Sequence, residues 1–503
     1  MQKIGVFWLK KIHQSWFVVW FAVGVVAGIV LGIAFRINYF ASGWFAMLSG
    51  FLFIICLVRP LLLCSVLAVL AGFLMSFVRV TEELTGENFI RQFYGTRVMM
   101  VGEVSGDPEI DESQTKIKLT NLRFGEECGK TVAENDDECF VTRGNVCVTL
   151  SRNEKIRWGD TVMLDGEMSE GFGTYVGYMY KPRVVWWARP EPGSWILKLR
   201  DWFAERIERS VDGEAESKLG LSYLMGMKTG LPEGLEENLR TVGLTHIVVA
   251  SGAHLAILVE VAKKLFGRIS RFAGLLFSVI FIVMFMALVG WTPSIFRAGV
   301  MAILTLVSWY VGRKMQPWRM ILLVAAGTLL INPMFVMNMG WMLSFASYAG
   351  IMVVGPRLTK FFYGNRKPGF LSSTILTTVS ATIMTLPIVL YYYGQMSLIS
   401  VVANLLILPT LPFAMGMTFL TGVVVGVPLV EFVAGWMART VLNFHILVVE
   451  FFGQMRQFLV TIEPYQMWVF GIYVVVAGIL TVAILREAEW TKRAKSGKIK
   501  ISN

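Results

Sequence analysis

Charge is scarce in this chain. Of 503 residues, 16% are Asp, Glu, Lys or Arg, against about 25% in soluble domains. That shortfall excludes an ordinary water-facing globule. Histidine is rarer still, with four in the chain, and there are five cysteines. Neither falls into the ligand spacing of a structural zinc site, so no metal and no cofactor is expected. A nucleotide-binding GxxxxGK(S/T) is absent, so any ATP-driven motor would be a separate protein. What fills the space is apolar: 55% of residues are hydrophobic. Residues 16–35 and 273–290 are near-continuous apolar runs, close to the roughly 20 residues needed to cross a bilayer. The basic head at Lys3, Lys10 and Lys11 mimics a signal peptide. Further runs follow within a few residues, so the first run reads as an uncleaved span.

The net charge of +11 is unevenly spread. Residues 82–190 carry 13 Lys/Arg against 19 Asp/Glu, a net of −6, which leaves +17 for the rest. Much of that excess lies in short loops beside apolar runs, as the positive-inside rule requires without any nucleic acid. Lys263, Lys264, Arg268 and Arg271 share one loop, Arg313, Lys314 and Arg319 another, and Arg357, Lys360, Arg366 and Lys367 a third. The alternate loops, at 290–293, 331–338 and 394–396, carry no charge. Three spans followed by nine more satisfy this pattern, about 12 in all, with both termini cytoplasmic. Residues 397–427, with Pro409 and Pro412, are too long for one ordinary span and read as a broken or re-entrant crossing.

The expected fold is an α-helical polytopic membrane protein with a small extracytoplasmic β-barrel. Residues 1–81 hold three transmembrane helices, 82–192 an OB-like β-domain, and 193–245 interfacial amphipathic helices. Residues 246–486 hold the second helix block and 487–503 a basic cytoplasmic tail. The β reading rests on RVMMVGEV, KIKLTNL, CFVTRGNVCVTL and DTVMLDGEM, which alternate or run β-branched between Gly/Asp/Asn-rich breaks. About five short strands fit an OB-type barrel and also a small sandwich. Cys128 and Cys139 bracket a polar tip that a disulfide outside the membrane would close. In 195–211, Ile196, Leu199, Phe203 and Ile207 share one helical face, which suits either the membrane interface or packing on the β-domain.

The densest polar cluster in the second block is GLTHIVVASGAHLAILVEV from Gly243, which sets His246, Ser251, Gly252 and His254 in an apolar run. Polar groups at such depth line a cavity or carry function. The alternative is a close helix crossing built on small residues. Ala-Ser-Gly at 250–252 can loosen the helix there. Asn443 and His445, in a later run, read as packing glue. Glu260 with Lys263 and Lys264 reads as an i, i+3/i+4 group at the inner rim.

These residues resemble the ComEC-type competence proteins, a DNA-uptake channel family. GL-x-HI-x-x-x-SG-x-H at 243–254 is similar to that family's central signature. PSIFRAGVMA from Pro293, NPMFVMNMGWMLSFASYAGI from Asn332 and LPIVLYYYGQMSLISVVANLLILPTLP from Leu386 resemble three further blocks in the same order. The resemblance implies a channel, not an enzyme, that passes single-stranded DNA across the cytoplasmic membrane during natural transformation. His246, Ser251, Gly252, His254, Arg297 and Asn404 would line the path; for Asn404 a structural helix–helix hydrogen bond fits equally well. Partners besides the lipid bilayer would be a DNA receptor, a nuclease and a cytoplasmic motor on separate chains; monomer and homodimer both stay open. Many members add a metallo-β-lactamase-like domain with an HxHxDH pattern. That pattern does not occur here and the sequence ends 17 residues after Arg486, so no nuclease is expected in this polypeptide.

Arg297, four residues into a span that begins outside at Pro293, is the strongest candidate for a phosphate contact, because a guanidinium grips phosphate by a bidentate fork; the alternative is snorkelling to outer headgroups or capping a neighbour's carbonyls. Tyr175, Tyr178, Tyr180, Trp186 and Trp187 of the β-domain offer faces on which bases stack; the two tryptophans equally suit a membrane belt. Two other functions fit parts of the pattern. A solute transporter also uses broken helices and midplane polar groups, though no pair of matching half-sequences is visible. A membrane-embedded hydrolase would pair Ser251 with His246 or His254, but Ala-Ser-Gly is not a G-x-S-x-G elbow.

Overall fold

A helix that is apolar on every side can be satisfied only by lipid or by another such helix. The first three helices behave accordingly. In a computed structural model of the chain, α1 (Ser15–Ala34), α2 (Gly43–Val58) and α3 (Leu63–Arg91) pack on one another. The structure describes residues 15–461, apart from 36–42, 59–62, 111–113, 125–139, 143, 152–155, 173, 190–194, 228–229, 249–250, 291, 313–315 and 365. The α1–α3 crossing is set by glycine. A Cβ on Gly24 would stand 2.0 Å from the Val69 carbonyl oxygen, and one on Gly72 2.1 Å from that of Phe21. Such backbone contact is how helices associate where lipid removes the hydrophobic drive. Gly24→Val or Gly72→Val is therefore expected to cost about 1–3 kcal/mol through overpacking, read as a lower melting temperature and lower abundance. Unchanged values for both variants would contradict this crossing.

Helix α3 runs beyond the boundary expected at residue 81. TEELTGENFIR includes Thr, Gly and Asn, which are weak helix formers, yet the helix continues past the apolar run to Arg91. Its last turns carry Phe89 and Ile90 into the core of the β-domain. Arg79, on the same helix, donates to the carbonyls of Leu330 (2.7 Å) and Ile331 (2.9 Å).

The β-domain begins at β1 (Arg97–Val104) and continues through β2 (Glu109–Ile110), β3 (Gln114–Phe124), β4 (Phe140–Thr142), β5 (Val146–Ser151), β6 (Thr161–Glu170), β7 (Gly177–Tyr180) and β8 (Arg183–Ala188). Strands β1, β3, β5, β7 and β6 follow in that spatial order, and β6 pairs back onto β1, which closes a five-stranded barrel. All pairs in the ring are antiparallel except β5–β7. Alternation places Ile117 and Leu119, Val146, Val148 and Leu150, and Val162 and Leu164 inside. The four segments read as strands from sequence lie on β1, β3, β4–β5 and β6; β7 and β8 were not among them. The Cys128–Cys139 pairing falls outside the described residues. Cys147 is a free, buried thiol, and burial pushes its pKa up.

Helix α4 (Trp195–Ser210) ties the barrel to the helices. Arg200 donates from Nη1 to Asp107 Oδ1 at 2.8 Å, pairs with the second carboxylate oxygen, and lies 5.0 Å over the Trp158 ring. Trp158 in turn meets Gly290. Arg206 donates to the carbonyls of Gly422 and Val425, and Phe203 and Ile207 press on Gly422. Next come α5 (Glu214–Met225) and α6 (Glu233–Val242). Helix α5 departs from the interfacial reading of 193–245. Its residues from Leu219 to Tyr223 are buried, and Gly220 packs closely on Thr418 and Leu442.

The second block runs α7 (Thr245–Val248), α8 (Gly252–Phe266), α9 (Arg271–Val289), α10 (Pro293–Val311), α11 (Pro317–Ile331) and α12 (Met339–Ala349). A π-turn at Gly350–Val354 leads into α13 (Gly355–Tyr363) and α14 (Phe370–Tyr393). Then follow β9 (Gln395–Ser397), α15 (Ser400–Ile407), α16 (Leu411–Val424), α17 (Pro428–Gly453) and β10 (Leu459–Thr461), which pairs with β9. The segment expected to be broken is broken: α15 and α16 flank residues 408–410 and pass for a crossing only together. Among the described residues seven helices are long and apolar enough to span a bilayer, eight with that pair. Phe45–Cys56 and Pro317–Ile331 are shorter apolar helices. The last expected span and the basic tail lie outside the described residues.

The chain divides into two compact units. One comprises Met1–Glu236, Thr245–Trp341 and Pro409–Leu447; the other Glu237–Leu244, Met342–Leu408 and Val448–Asn503. In the second unit Arg456 pairs with Glu237 at 2.7 Å and Gly243, at φ +79°, sits against Ser400.

Candidate functional site

The span expected from residue 246 does not form as one helix. Thr245–Val248 makes a single turn, and a new helix starts at Gly252. Ser251 stands between them in extended backbone, φ −127° and ψ 172°, as the N-cap of α8. Ser is a favoured cap because its short polar side chain competes for backbone groups. His254 occupies the third helical position, where a capping box places Glu or Gln. Its Nδ1 accepts from the Ser251 backbone N–H at 3.0 Å and lies 2.9 Å from Ser251 Oγ. A ring nitrogen that accepts from an N–H carries no proton, so the proton of neutral His254 is on Nε2. That Nε2 is buried and has no hydrogen-bond partner among the described residues.

This arrangement separates two roles of one side chain. His254→Gln retains an acceptor for the cap and is expected to leave stability near wild type. His254→Ala removes it and is expected to cost about 1 kcal/mol, read as a lower melting temperature. Equal losses in both variants would rule out the capping role.

Arg297 approaches the same helix start. It lies one turn into α10, after Pro293 at the first position, and is 7% exposed. Its Nη1 is 3.2 Å from Met301 Sδ. A Cβ placed on Gly252 would lie 3.7 Å from Arg297 Nη2 and 3.5 Å from Ala298 Cβ, both ordinary contact distances, so the guanidinium lies close against the start of α8. The N-terminus of a helix carries partial positive charge and unpaired N–H groups. A buried guanidinium beside it adds charge of the same sign. Such a corner favours an anion with several oxygens, phosphate above all.

A second set of polar groups borders the first. Tyr223 Oη, on α5, is 3.2 Å from His445 Nδ1, and Thr410 Oγ1 is 2.7 Å from His445 Nε2. The Tyr223 and His254 ring centroids are 6.4 Å apart. Both nitrogens of His445 are engaged, which agrees with its reading as packing glue, whereas Asn443 is exposed. Sequence reasoning missed Tyr223 and Thr410. The partners of His445 lie 222 and 35 residues away along the chain, beyond any local spacing.

Of the expected path residues, Ser251, Gly252, His254 and Arg297 come together. His246 is exposed on α7, within electrostatic reach of His254. Asn404 belongs to the other unit, on α15, where it is buried and its Oδ1 has no hydrogen-bond partner among the described residues. Cavities of about 420 Å³, beside Thr359 and Ser373, and about 280 Å³, beside Arg79 and Asn145, lie elsewhere.

The barrel's aromatics divide. Tyr175 and Tyr178 gather round Phe172, Tyr178 Oη lies 2.9 Å from Thr149 Oγ1, and burial pushes the Tyr175 pKa up to about 12. Tyr180 and Trp187 are exposed, with Lys181 and Arg189 over their rings. Trp186 packs with Val101 and Met163 on the outer barrel face.

Long apolar helices, a broken crossing and a buried cluster of imidazole, hydroxyl and guanidinium groups define a multi-pass membrane protein with an internal polar site. A family model described as Competence protein matches residues 223–487, more than half of the chain, and begins at the tyrosine that contacts His445. The chain belongs to the competence protein family. It is 29% identical over 197 residues to ComE operon protein 3 of Bacillus subtilis (strain 168), across 39% of this chain and 24% of that protein. It is 26% identical over 196 residues to an uncharacterized protein of Aquifex aeolicus (strain VF5), across 38% of this chain and 44% of that one. The matches thus span less than half the length of either relative. No solved structure matches.

Proposed function

We propose that this chain forms the conduit through which single-stranded DNA crosses the cytoplasmic membrane during competence, and that it is not an enzyme. The observation that carries the reading is Arg297, buried against the N-terminal end of α8 at Gly252. A polyanion in a low-dielectric passage needs contacts of this kind, strong enough to admit a phosphate and few enough to release it. Membership of the competence family supports the same reading. In the arrangement described, His254 is fully buried, so the helices around the cluster have to part for a strand to pass.

The finer architecture follows from the same proposal. About 12 spans, with both termini cytoplasmic and the barrel outside, agree with the loop charges. The barrel is read as OB-like, since five strands close in the order given above. Exposed Tyr180 and Trp187 are then its natural stacking faces. A receptor, a nuclease and a motor on separate chains would complete the machine, and the chain would act as a monomer or a homodimer.

The test is deletion of the gene in a naturally competent host. Uptake of labelled DNA should fall to background and return with the intact gene. Undiminished uptake in the deletion strain would overturn the proposal.

One observation favours a hydrolase instead: Ser251 Oγ and His254 Nδ1 are in hydrogen-bond contact. The same Nδ1 lone pair already accepts the Ser251 N–H, and no carboxylate orients Nε2 among the described residues. A base so placed is poor. Labelling of Ser251 by a serine-reactive fluorophosphonate would revive that reading.

A further inference from the structure

The end of the bundle formed by α8, α9 and α10 carries cations that the polar cluster does not use. Lys264 pairs with Glu260 at 3.4 Å, as helical spacing dictates. Lys263 does not join them. Its Nζ lies 4.6 Å over the ring of Trp309, near the end of α10, and the Arg271 guanidinium lies 5.6 Å from the same ring. Two like charges share one indole, and neither forms an ion pair with a carboxylate among the described residues. Cation–π attraction holds each to the ring face, but nothing there neutralises the pair. Arg271 is also the first residue of α9, capped by Ser270, at the helix end where positive charge is disfavoured.

What surrounds the cations is apolar and exposed. Ile269 is 75% exposed, and Leu265, Phe272 and Val311 are each more than half exposed. Across the short connection to α11, a third cation repeats the arrangement. Arg319 stacks 4.4 Å over Trp16 and 5.4 Å over Trp318, and its buried Nε has no hydrogen-bond partner among the described residues. An occupant for this rim must carry negative charge beside hydrocarbon. A bare phosphate or an emerging nucleic-acid strand would satisfy the cations but make no use of the apolar Ile269 and Phe272 beside them.

We propose that Lys263 and Arg271, clamped on Trp309, form a binding site for the phosphate headgroup of an anionic phospholipid, with Arg319 as a neighbouring contact and Leu265, Ile269 and Phe272 against the acyl chains. The site uses none of the groups assigned to the conduit, and it stands whether or not the chain passes DNA.

The test uses the full chain in nanodiscs of phosphatidylcholine, with or without phosphatidylglycerol, read by melting temperature and by native mass spectrometry of retained lipid. Phosphatidylglycerol should raise the melting temperature by roughly 3–5 °C, as a ligand specific to the folded state does. It should be retained in preference to phosphatidylcholine. The Lys263→Gln/Arg271→Gln double variant should lose at least half of the shift and most of the retained lipid, while melting like the parent in pure phosphatidylcholine. Lys264→Gln, at a side chain engaged with Glu260, should retain both. Equal retention by the double variant, or equal loss in Lys264→Gln, overturns the site. So does a matching shift from inorganic phosphate or oligothymidylate in phosphatidylcholine discs. Should the double variant melt early in phosphatidylcholine, Trp309→Leu decides by retention alone, and full retention there also overturns it.

Discussion

Arg297→Ala is expected to reduce DNA uptake by roughly 10- to 100-fold while the protein still inserts at near wild-type abundance. The size follows from losing one charge-assisted contact, worth about 1.5–3 kcal/mol, at about 1.4 kcal/mol per decade of rate. The effect should exceed that of any exposed rim charge, because the guanidinium sits in a buried corner where little water screens it. Arg297→Lys keeps the charge but not the planar fork, and should fall between the two. The corner also makes a steric claim. Gly252→Ala meets only ordinary contacts, at 3.5 Å or beyond, and should retain most uptake. Gly252→Leu would push the guanidinium away and should resemble Arg297→Ala. The measurement is transformation frequency in a competent host deleted for its own copy, normalised to membrane abundance. Wild-type uptake in both Arg297→Ala and Gly252→Leu would remove this corner from the path.

Arg200→Ala is expected to destabilise the protein by about 1.5–3 kcal/mol, the cost of losing a charge-assisted pair whose carboxylate keeps some contact with water. The Arg200 side chain is 3% exposed, and Asp107 would be left without its guanidinium. Trp158 would lose its stacking partner at the place where it meets Gly290. Replacing both partners with apolar residues, Arg200→Met with Asp107→Leu, should recover part of the loss, since no half-buried carboxylate is then left unpaired. A double-mutant cycle on melting temperature checks this. Additive losses would mean that the two side chains do not act as a pair. A stable Arg200→Ala protein with impaired DNA uptake would instead mean that α4 orients the barrel without holding the fold together.

Much of the architecture was legible because its signals are local. Uninterrupted apolar runs force helices into a bilayer, and period-two alternation marks β1, β3 and β6. Ser251 and Gly252 read as a break because those residue types interrupt helices, and α8 starts there. Where local rules misled, a neighbour decided. Helix α3 runs on to Arg91 because Phe89 and Ile90 find a place in the barrel core. Helix α5 is buried because Gly220 allows contact with Thr418 and Leu442. Lys263, which helical spacing groups with Glu260, turns instead to Trp309.

By itself, the sequence determined that this chain enters a membrane, carries a β-domain beside its helices, and sets its densest polar cluster of the second helix block at one helix break. Composition and periodicity suffice for that, since each is a property of neighbouring residues and of the solvent they must avoid. Only the tertiary structure decided that Arg297 stands at Gly252 and that Tyr223, Thr410 and His445 join in a buried cluster beside His254. Those meetings depend on how separate helices cross, and a helix fixes which face a residue is on without fixing what lies opposite.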